Sequence, residues 1–500
     1  MADGGTHGVG EHLDPTGEIS LEAVKSRAVK GVVALTGRTL ILNIISLVAQ
    51  GLLWAFLEPS QFGVFLLVSA TINFLSYFAD IGLGAALIQR KEKPTERDFR
   101  TVFAVQEALV IIIVIIVFLV SPVLTKTHNL TREGVTLLYA LNISFFLASL
   151  KNIPSILLER KLEFGKFVIP QVVEQVIYNV AVVFFAWRGF GITSFTFAVL
   201  LRGVVGVVVI YILQPWKPGL AFSKESLKGL LKFGVPYQLN NFLATIKDDG
   251  MTIVLGGLLG SAGLGILGTA QKLAQYPLRF FMDNVTKVTF PAFARMQDDQ
   301  KHLERGLTRS LFFICALVFP SLVGLAVLFP VIVSVIPRYG KWLPAYVPFL
   351  IISVNSVFAA GSTQLTNFLN SVGRIKTTFK LMIMWTVLTW LLVPVLSTVF
   401  GVEGASLGYA LVGVSSVVVF YLVRQRVNFS LMYSLVKPAL AAFAMAMVLF
   451  IAMRLVPWNY LGLLLMVLLS GATYALAIYL LVGRAAVDDV KKVLAVFGKK

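Results

Sequence analysis

The chain has a single cysteine, Cys315, and four histidines, His7, His12, His128 and His302. One thiol excludes an intrachain disulfide and a cysteine metal cluster, and the scattered histidines form no visible His/carboxylate metal set. Acidic residues are also scarce: 25 stand against 43 lysines and arginines, for a formal charge of +18. The chain carries no phosphate loop ending in Gly-Lys-Ser/Thr, no dinucleotide glycine fingerprint, no HExxH and no nucleophile elbow. Glycine-rich Gly256–Gly265 lacks the following Lys-Ser/Thr and is read as a close-packed turn. Asn129-Leu-Thr131 fits a glycosylation acceptor, a pattern short enough to arise by chance. No cofactor or metal is therefore expected, no catalytic constellation is visible, and any transport would draw on an ion or substrate gradient.

Long soluble stretches are missing too. The composition is 57% hydrophobic with mean hydropathy +0.84, more apolar surface than a soluble chain of this length can hide. Lipid accepts it, provided each segment satisfies its own backbone as a helix. A span needs roughly 20 apolar residues, and about fourteen such stretches occur. They are Val32–Leu57, Phe62–Ile88, Thr101–Val120, Val135–Leu158, Phe167–Trp187, Ile192–Leu213, Phe233–Leu255, Leu264–Val288, Leu307–Phe329, Ala345–Phe368, Phe379–Phe400, Ala405–Val423, Pro438–Val456 and Leu461–Val482. Pro330–Pro348 breaks the pattern with Pro337, Arg338, Gly340, Lys341 and Pro344. The fold class is an all-α polytopic membrane protein.

Charge alternates along this ladder. Loops with Lys25, Arg27 and Lys30, with Arg90 to Arg100, with Arg160 to Lys166, and with Lys217 to Lys232 carry most of the cations in the first half. Arg295 to Arg305, Arg374 and Lys376, Arg424 to Lys437, and Arg484 to Lys500 continue the set. The alternate loops hold only Lys126, Arg132, Arg188, Arg338, Lys341 and Arg454. This bias of about fivefold assigns the basic loops and both termini to the cytoplasm, and explains the net charge without nucleic acid. The segment through about Ser20 lacks the basic region and apolar core of a cleaved signal, so the first span is expected to direct insertion. Expected divisions are a cytoplasmic tail at 1–31, an N-lobe at 32–213, a cytoplasmic linker at 214–232, a C-lobe at 233–423, two further spans within 438–482 and a cytoplasmic tail at 483–500. The two lobes resemble copies of one another. Leu57–Gly63 and Leu259–Gly265 join the first two helices of each, and Gly189-Phe-Gly191 matches Gly401–Gly404 at the opening of the sixth. Such parallel repeats are a known transporter plan, with the site between halves.

Ionisable residues inside spans are costly and tend to face a cavity or a partner. Arg38, Asp80, Glu107, Glu174 and Arg202 lie in the first six spans. Span seven aligns Tyr237, Asn240, Asn241, Ala244, Lys247 and Asp248 on one face at helical spacing, followed by Asp249. Span eight aligns Lys272, Gln275, Tyr276, Arg279 and Asp283. These stripes line water or meet each other as glue, and the surplus of cations points to a positively charged cavity.

Glu58-Pro-Ser-Gln-Phe-Gly63 and Asp80-Ile-Gly-Leu-Gly-Ala-Ala-Leu-Ile-Gln-Arg-Lys91 resemble the start of Wzx-type polysaccharide exporters, flippases of the MOP superfamily that also holds the MATE exporters. Asp249 with Met251-Thr-Ile-Val-Leu-Gly256, then Leu264-Gly265, Ala270, Leu273, Pro277, Phe290-Pro291 and Gln297-Asp298, are similar to their second-half pattern. Leu267 departs from it, where relatives often place Tyr. The resemblance implies two six-helix lobes in a MATE-like V plus two C-terminal helices, working by alternating access. It implies a polyprenyl-pyrophosphate-linked oligosaccharide as cargo, moved from cytoplasmic to outer leaflet of the bacterial inner membrane, with polymerase or export proteins as possible partners. On the stripes, Arg38, Arg202, Lys247, Lys272 and Arg279 are candidates for pyrophosphate or acidic sugar. Tyr237, Asn240, Asn241, Gln275, Gln364 and Asn367 are candidates for sugar hydroxyls. Glu174, Asp248 and Asp249 are candidates for H⁺ or Na⁺ coupling, because a carboxylate in low dielectric exchanges charge with proton or cation. A MATE-type drug/cation antiporter is the alternative, and a membrane polymerase or ligase the more distant one.

Overall fold

The protein is described by a computed structural model covering residues 21–79, 81–90, 92–297 and 299–483. The described side chains leave out those of residues 21–34, 36, 40, 233, 235–237, 239–241, 243, 283–284 and 287–288. The first twenty residues and those after 483, with Asp80, Lys91 and Asp298, lie outside the described residues, as does the side chain of Asp283. Among the described residues every regular element is helical.

Twelve helical segments among the described residues are long and apolar enough to cross a membrane. Two of the long ones contain a backbone break: Ile246–Met282 has 37 residues and Ile375–Arg424 has 50. As straight rods they would run about 55 and 75 Å, against roughly 30 Å of hydrocarbon. Each is broken by a glycine with non-helical torsions, Gly260 (φ 66°, ψ 178°) and Gly401 (φ 61°, ψ −133°). Beyond Gly401 the chain doubles back, since a Cβ on Gly408 would stand 2.7 Å from the Cα of Val393. Both glycines fall in turns that separate neighbouring stretches in the sequence reading of about fourteen spans.

Other boundaries depart from the apolar pattern for local reasons. The second span stops at Ser76, and Gly82 (φ 74°) starts a separate short helix, Leu83–Gln89. The fourth breaks into Arg132–Ser149 and Asn152–Arg160. Pro154 causes that break, having no N–H for the carbonyl of Leu150. Tyr211 supplies the missing donor, its hydroxyl reaching the Leu150 oxygen at 3.1 Å. Between the ninth and tenth spans the helix runs on to Val335, Arg338 turns with φ 66°, and a 3₁₀ turn fills Gly340–Ala345. Helix starts are capped where they leave the apolar zone. Thr95 and Asp98 form a reciprocal capping box, with Thr95 N–H donating to Asp98 at 2.7 Å. Asp299 caps Gln300–Val335, and the His302 backbone N–H holds its carboxyl below the usual carboxylate range.

The chain divides into two compact units. The first runs through Leu57 and from Val64 to Ile253; the second takes Glu58–Gly63 and runs on from Val254. In the first, Phe164–Trp187 packs along both Thr193–Leu213 and Leu21–Phe56, while Arg132–Ser149 packs on Thr193–Leu213 and Glu96–His128. In the second, Tyr346–Ser371 packs along Ile375–Ser415 and Gln300–Val335, and Gln300–Val335 continues onto Lys437–Leu455, which pairs with Tyr460–Val482. Cys315 sits in that core beside Ile314, Val318 and Ala442.

Within the second unit, the two turns that sequence matches as repeats lie backbone to backbone. A Cβ on Gly63 would collide with the Ser261 carbonyl, and one on Gly265 with the Pro59 carbonyl. Nearby, Phe62 meets Trp342 edge-on at 5.3 Å and Lys341 pairs with Glu58 at 3.2 Å. Gly265→Ala forces two backbones apart, and overpacking of this kind costs about 1–3 kcal/mol. It will lower the melting temperature of the purified protein, whereas Gly471→Ala, with nothing within 4 Å of the added methyl, will not.

Candidate functional site

Within the first unit, polar side chains converge on Glu174. This residue sits midway along Phe164–Trp187 and is 7% exposed. Lys151 Nζ donates to its Oε1 at 2.7 Å, and Arg202 Nε stands 3.7 Å from Oε2. Lys151 reaches it because the Pro154 break frees Leu150 and Lys151 from the helix that would otherwise carry them past. Gly206 makes the room: a Cβ there would come within 2.5 Å of the Glu174 Cδ. One helical turn on from Glu174, Tyr178 lies under the Arg202 guanidinium at 5.8 Å. One turn back, Gln171 accepts a hydrogen bond from Arg38, whose buried Nε has no hydrogen-bond partner among the described residues. Gln175 donates to Ser46 at 3.2 Å.

A cavity of about 280 Å³ opens beside this cluster, lined by Lys151, Asn152, Ser155, Glu159, Gln171 and Glu174 among others. A second of about 200 Å³ shares Asn152, Ser155 and Glu159. Ligand pockets start at roughly 300 Å³, so either hollow suits a small charged group rather than a whole oligosaccharide. Arg38, Lys151 and Arg202 outnumber Glu159 and Glu174 here. The cluster therefore satisfies one buried carboxylate and retains positive charge. Glu107 is a separate buried carboxylate, accepting from Ser149 Oγ at 3.0 Å.

Other sequence candidates fall elsewhere. Lys247 pairs with its neighbour Asp248 at 2.8 Å, and Asp249 accepts a hydrogen bond from the Asn73 side chain. All three sit in a π-helical turn, Ile246–Gly250. A π-turn shifts the register, so the single stripe expected from a 3.6-residue period does not run straight through them. Tyr237, Asn240 and Asn241 belong to Lys224–Thr245, but their side chains lie outside the described set. In the second unit, Lys272 stands over the Phe62 ring at 5.8 Å. Gln275 is half-buried and Arg279 exposed, on the same helix. Gln364 and Asn367 both donate to Thr289 Oγ1, at 3.0 and 3.3 Å. Gln364 is fully buried, so this pair acts first as a tie between two helices.

The structure thus brings Glu174 and Arg202 together with Arg38 one turn away. Sequence reading passes over Lys151, Gln171 and Ser155. Lys151 had a signal, as the one charged residue inside the Val135–Leu158 span; Gln171 and Ser155 had none stronger than their polarity.

Comparison with known proteins places this architecture. Residues 52–348 match a family model described as polysaccharide biosynthesis protein. The chain is 24% identical over 397 residues to the lipopolysaccharide biosynthesis protein WzxC of Escherichia coli (strain K12), covering 77% of this chain and 78% of that one. It is 24% identical over 316 residues to the teichuronic acid biosynthesis protein TuaB of Bacillus subtilis (strain 168), covering 62% and 64%. Its fold is similar to the lipid II flippase MurJ in an inward closed conformation, with TM-score 0.72, 16% identity, and coverage of 89% of this chain and 98% of that chain. It is also similar to an inward-facing multidrug resistance MATE family transporter of the MOP superfamily, with TM-score 0.57, 18% identity, and coverage of 80% and 98%. At these identities the structural likeness bears on the fold alone. The family match spans more than half of the sequence, and the chain belongs to the polysaccharide biosynthesis protein family.

Proposed function

We propose that this multi-span membrane protein turns a polyprenyl-pyrophosphate-linked oligosaccharide from the cytoplasmic to the outer leaflet of the bacterial cytoplasmic membrane. The observation that carries the reading is the buried Glu174 carboxylate met by half-buried Lys151 and exposed Arg202, with half-buried Arg38 on Gln171 one turn away. Hydrocarbon rejects a pyrophosphate, and a protein that passes one must hold cations where lipid would otherwise lie. Family membership, the polysaccharide names of WzxC and TuaB, and the MurJ-like fold support the same cargo class.

In this reading residues 32–213 and 233–423 act as two lobes in alternating access, with 214–232 between them. Cations on both sides, including Lys247, Lys272 and Arg279, meet the pyrophosphate or acidic sugars. Tyr237, Asn240, Asn241, Gln275, Gln364 and Asn367 offer hydrogen bonds to hydroxyls. Glu174, Asp248 and Asp249 exchange H⁺ or Na⁺ as the cargo moves. A drug or cation antiporter shares the fold, but a pocket for cationic drugs needs surplus acid, and here the surplus is basic. Both termini are cytoplasmic in this scheme, and a polymerase or export protein takes over the delivered unit.

Deleting the protein will leave lipid-linked oligosaccharide on the cytoplasmic leaflet, as read in vesicles of known sidedness. Undiminished outer-leaflet delivery sinks the proposal. Lys151→Gln removes the nearer of the two cations on Glu174, and losing a charge partner of a buried carboxylate lowers delivery at least about tenfold, while membrane insertion stays normal. Full activity in the Lys272→Ala/Arg279→Ala double variant would remove those two from the binding set. Orientation has its own check: alkaline phosphatase fused after Lys500 will be inactive, and an active fusion reverses the topology.

A further inference from the structure

Ten residues link the Thr193–Leu213 helix to the Lys224–Thr245 helix, and they are fastened along their length. Trp216 Nε1 donates to Glu96 Oε1 at 3.2 Å, and its ring meets Phe103 at 5.1 Å. Gly219 leaves space for the Arg100 guanidinium, whose Nε would lie 2.9 Å from a Cβ there. Arg97 donates to the Phe222 carbonyl at 3.5 Å. Ser226 donates to the buried Asp98 carboxylate at 2.5 Å. The segment is therefore a strap held on the first turn of Glu96–His128, with a fixed outward side.

That outward side is apolar. Leu220 is 82% exposed and Phe222 is 61% exposed. They sit two residues apart in a non-helical segment, and both side chains are left uncovered by the rest of the described residues. Exposed Lys217, Lys224 and Arg97 flank them. The preceding helix has 21 residues, about 31 Å of rise, so it spans the hydrocarbon and delivers the strap at headgroup level. Basic side chains around a projecting Leu and Phe are the composition of segments that lie in an anionic membrane surface.

We propose that the Gln214–Ser223 strap is a membrane-surface contact in which Leu220 and Phe222 enter the headgroup layer and Lys217, Lys224 and Arg97 engage the phosphates of anionic phospholipid. Because the strap joins the capped start of one helix to the start of the next, bound lipid fixes the height of both relative to the bilayer. The surface is separate from the Glu174 cluster, and it stands whether or not the cargo is an oligosaccharide.

The test uses the full-length protein with Phe222→Cys labelled by an environment-sensitive fluorophore; Cys315 is fully buried and gives little background. In vesicles containing phosphatidylglycerol, headgroup-level doxyl lipid will quench this probe at least about twofold more than in phosphatidylcholine vesicles, in keeping with attraction to anionic lipid. The difference will shrink in roughly 0.5 M salt, as screening requires, and in Lys217→Gln/Lys224→Gln. A probe at Lys301→Cys, in the exposed first turn of Gln300–Val335, supplies the unquenched reference. Quenching at position 222 no deeper than at 301 overturns the proposal, and that result is also the one expected if a protein partner covers the strap. Equal quenching in neutral and anionic vesicles overturns the phosphate contact.

Discussion

Hydrocarbon offers no hydrogen bonds, and that single constraint organises this chain. Each span must satisfy its own backbone, so departures from helix occur where another group can take over the freed carbonyls or amides. The Leu150 carbonyl, orphaned by Pro154, is met by Tyr211. The end of Leu83–Gln89 is met by Arg160, whose Nη1 donates to the carbonyls of Leu87, Ile88 and Arg90 at 2.5, 3.2 and 3.1 Å. Gly260 and Gly401 absorb reversals that side-chain-bearing residues would resist. The same constraint acts on charge: Glu174 is tolerable in the apolar bundle because Lys151 and Arg202 reach it.

The candidate site and the packing draw on the same breaks. Lys151 faces Glu174 because the helix is interrupted beside it, and the interruption also leaves the cavities lined by Asn152 and Ser155. Gly206 completes the arrangement by omission, since the carboxylate occupies the volume of its missing side chain. Replacing the ion pair by apolar groups of similar volume can be neutral or even stabilising. An ion pair on a buried carboxylate is thus weak support for the fold. The glycine crossing of Gly63 on Ser261 is the opposite case, a contact made purely by backbone proximity.

Much of the fold was legible in sequence because hydropathy reports the solvent directly. The spans stand out by length, and the two that merge in the structure part at Gly260 and Gly401, in turns the sequence had already marked. Less legible were features that depend on a partner. Phe62 to Ile88 reads as one span interrupted in charge only by Asp80, yet Gly82 and Gly234 approach so closely that the helix must end and restart. Span seven reads as one polar stripe only if every turn has 3.6 residues, which Ile246–Gly250 violates. Periodicity assigns Gln364 and Asn367 to a face but gives no hint that Thr289 takes both amides. Glu174 and Arg202 were singled out separately; their meeting, with Lys151 between elements, is a tertiary fact.

The decisive measurement is transfer by the purified protein alone. Proteoliposomes would carry a labelled polyprenyl-pyrophosphate oligosaccharide in one leaflet, and a membrane-impermeant glycosidase would read how much has crossed. Protein-dependent protection or exposure of the glycan, dependent on the Arg38, Lys151 and Arg202 cations, is the predicted result. Transfer no faster than in protein-free vesicles, with the folded protein present in the membrane, would contradict it.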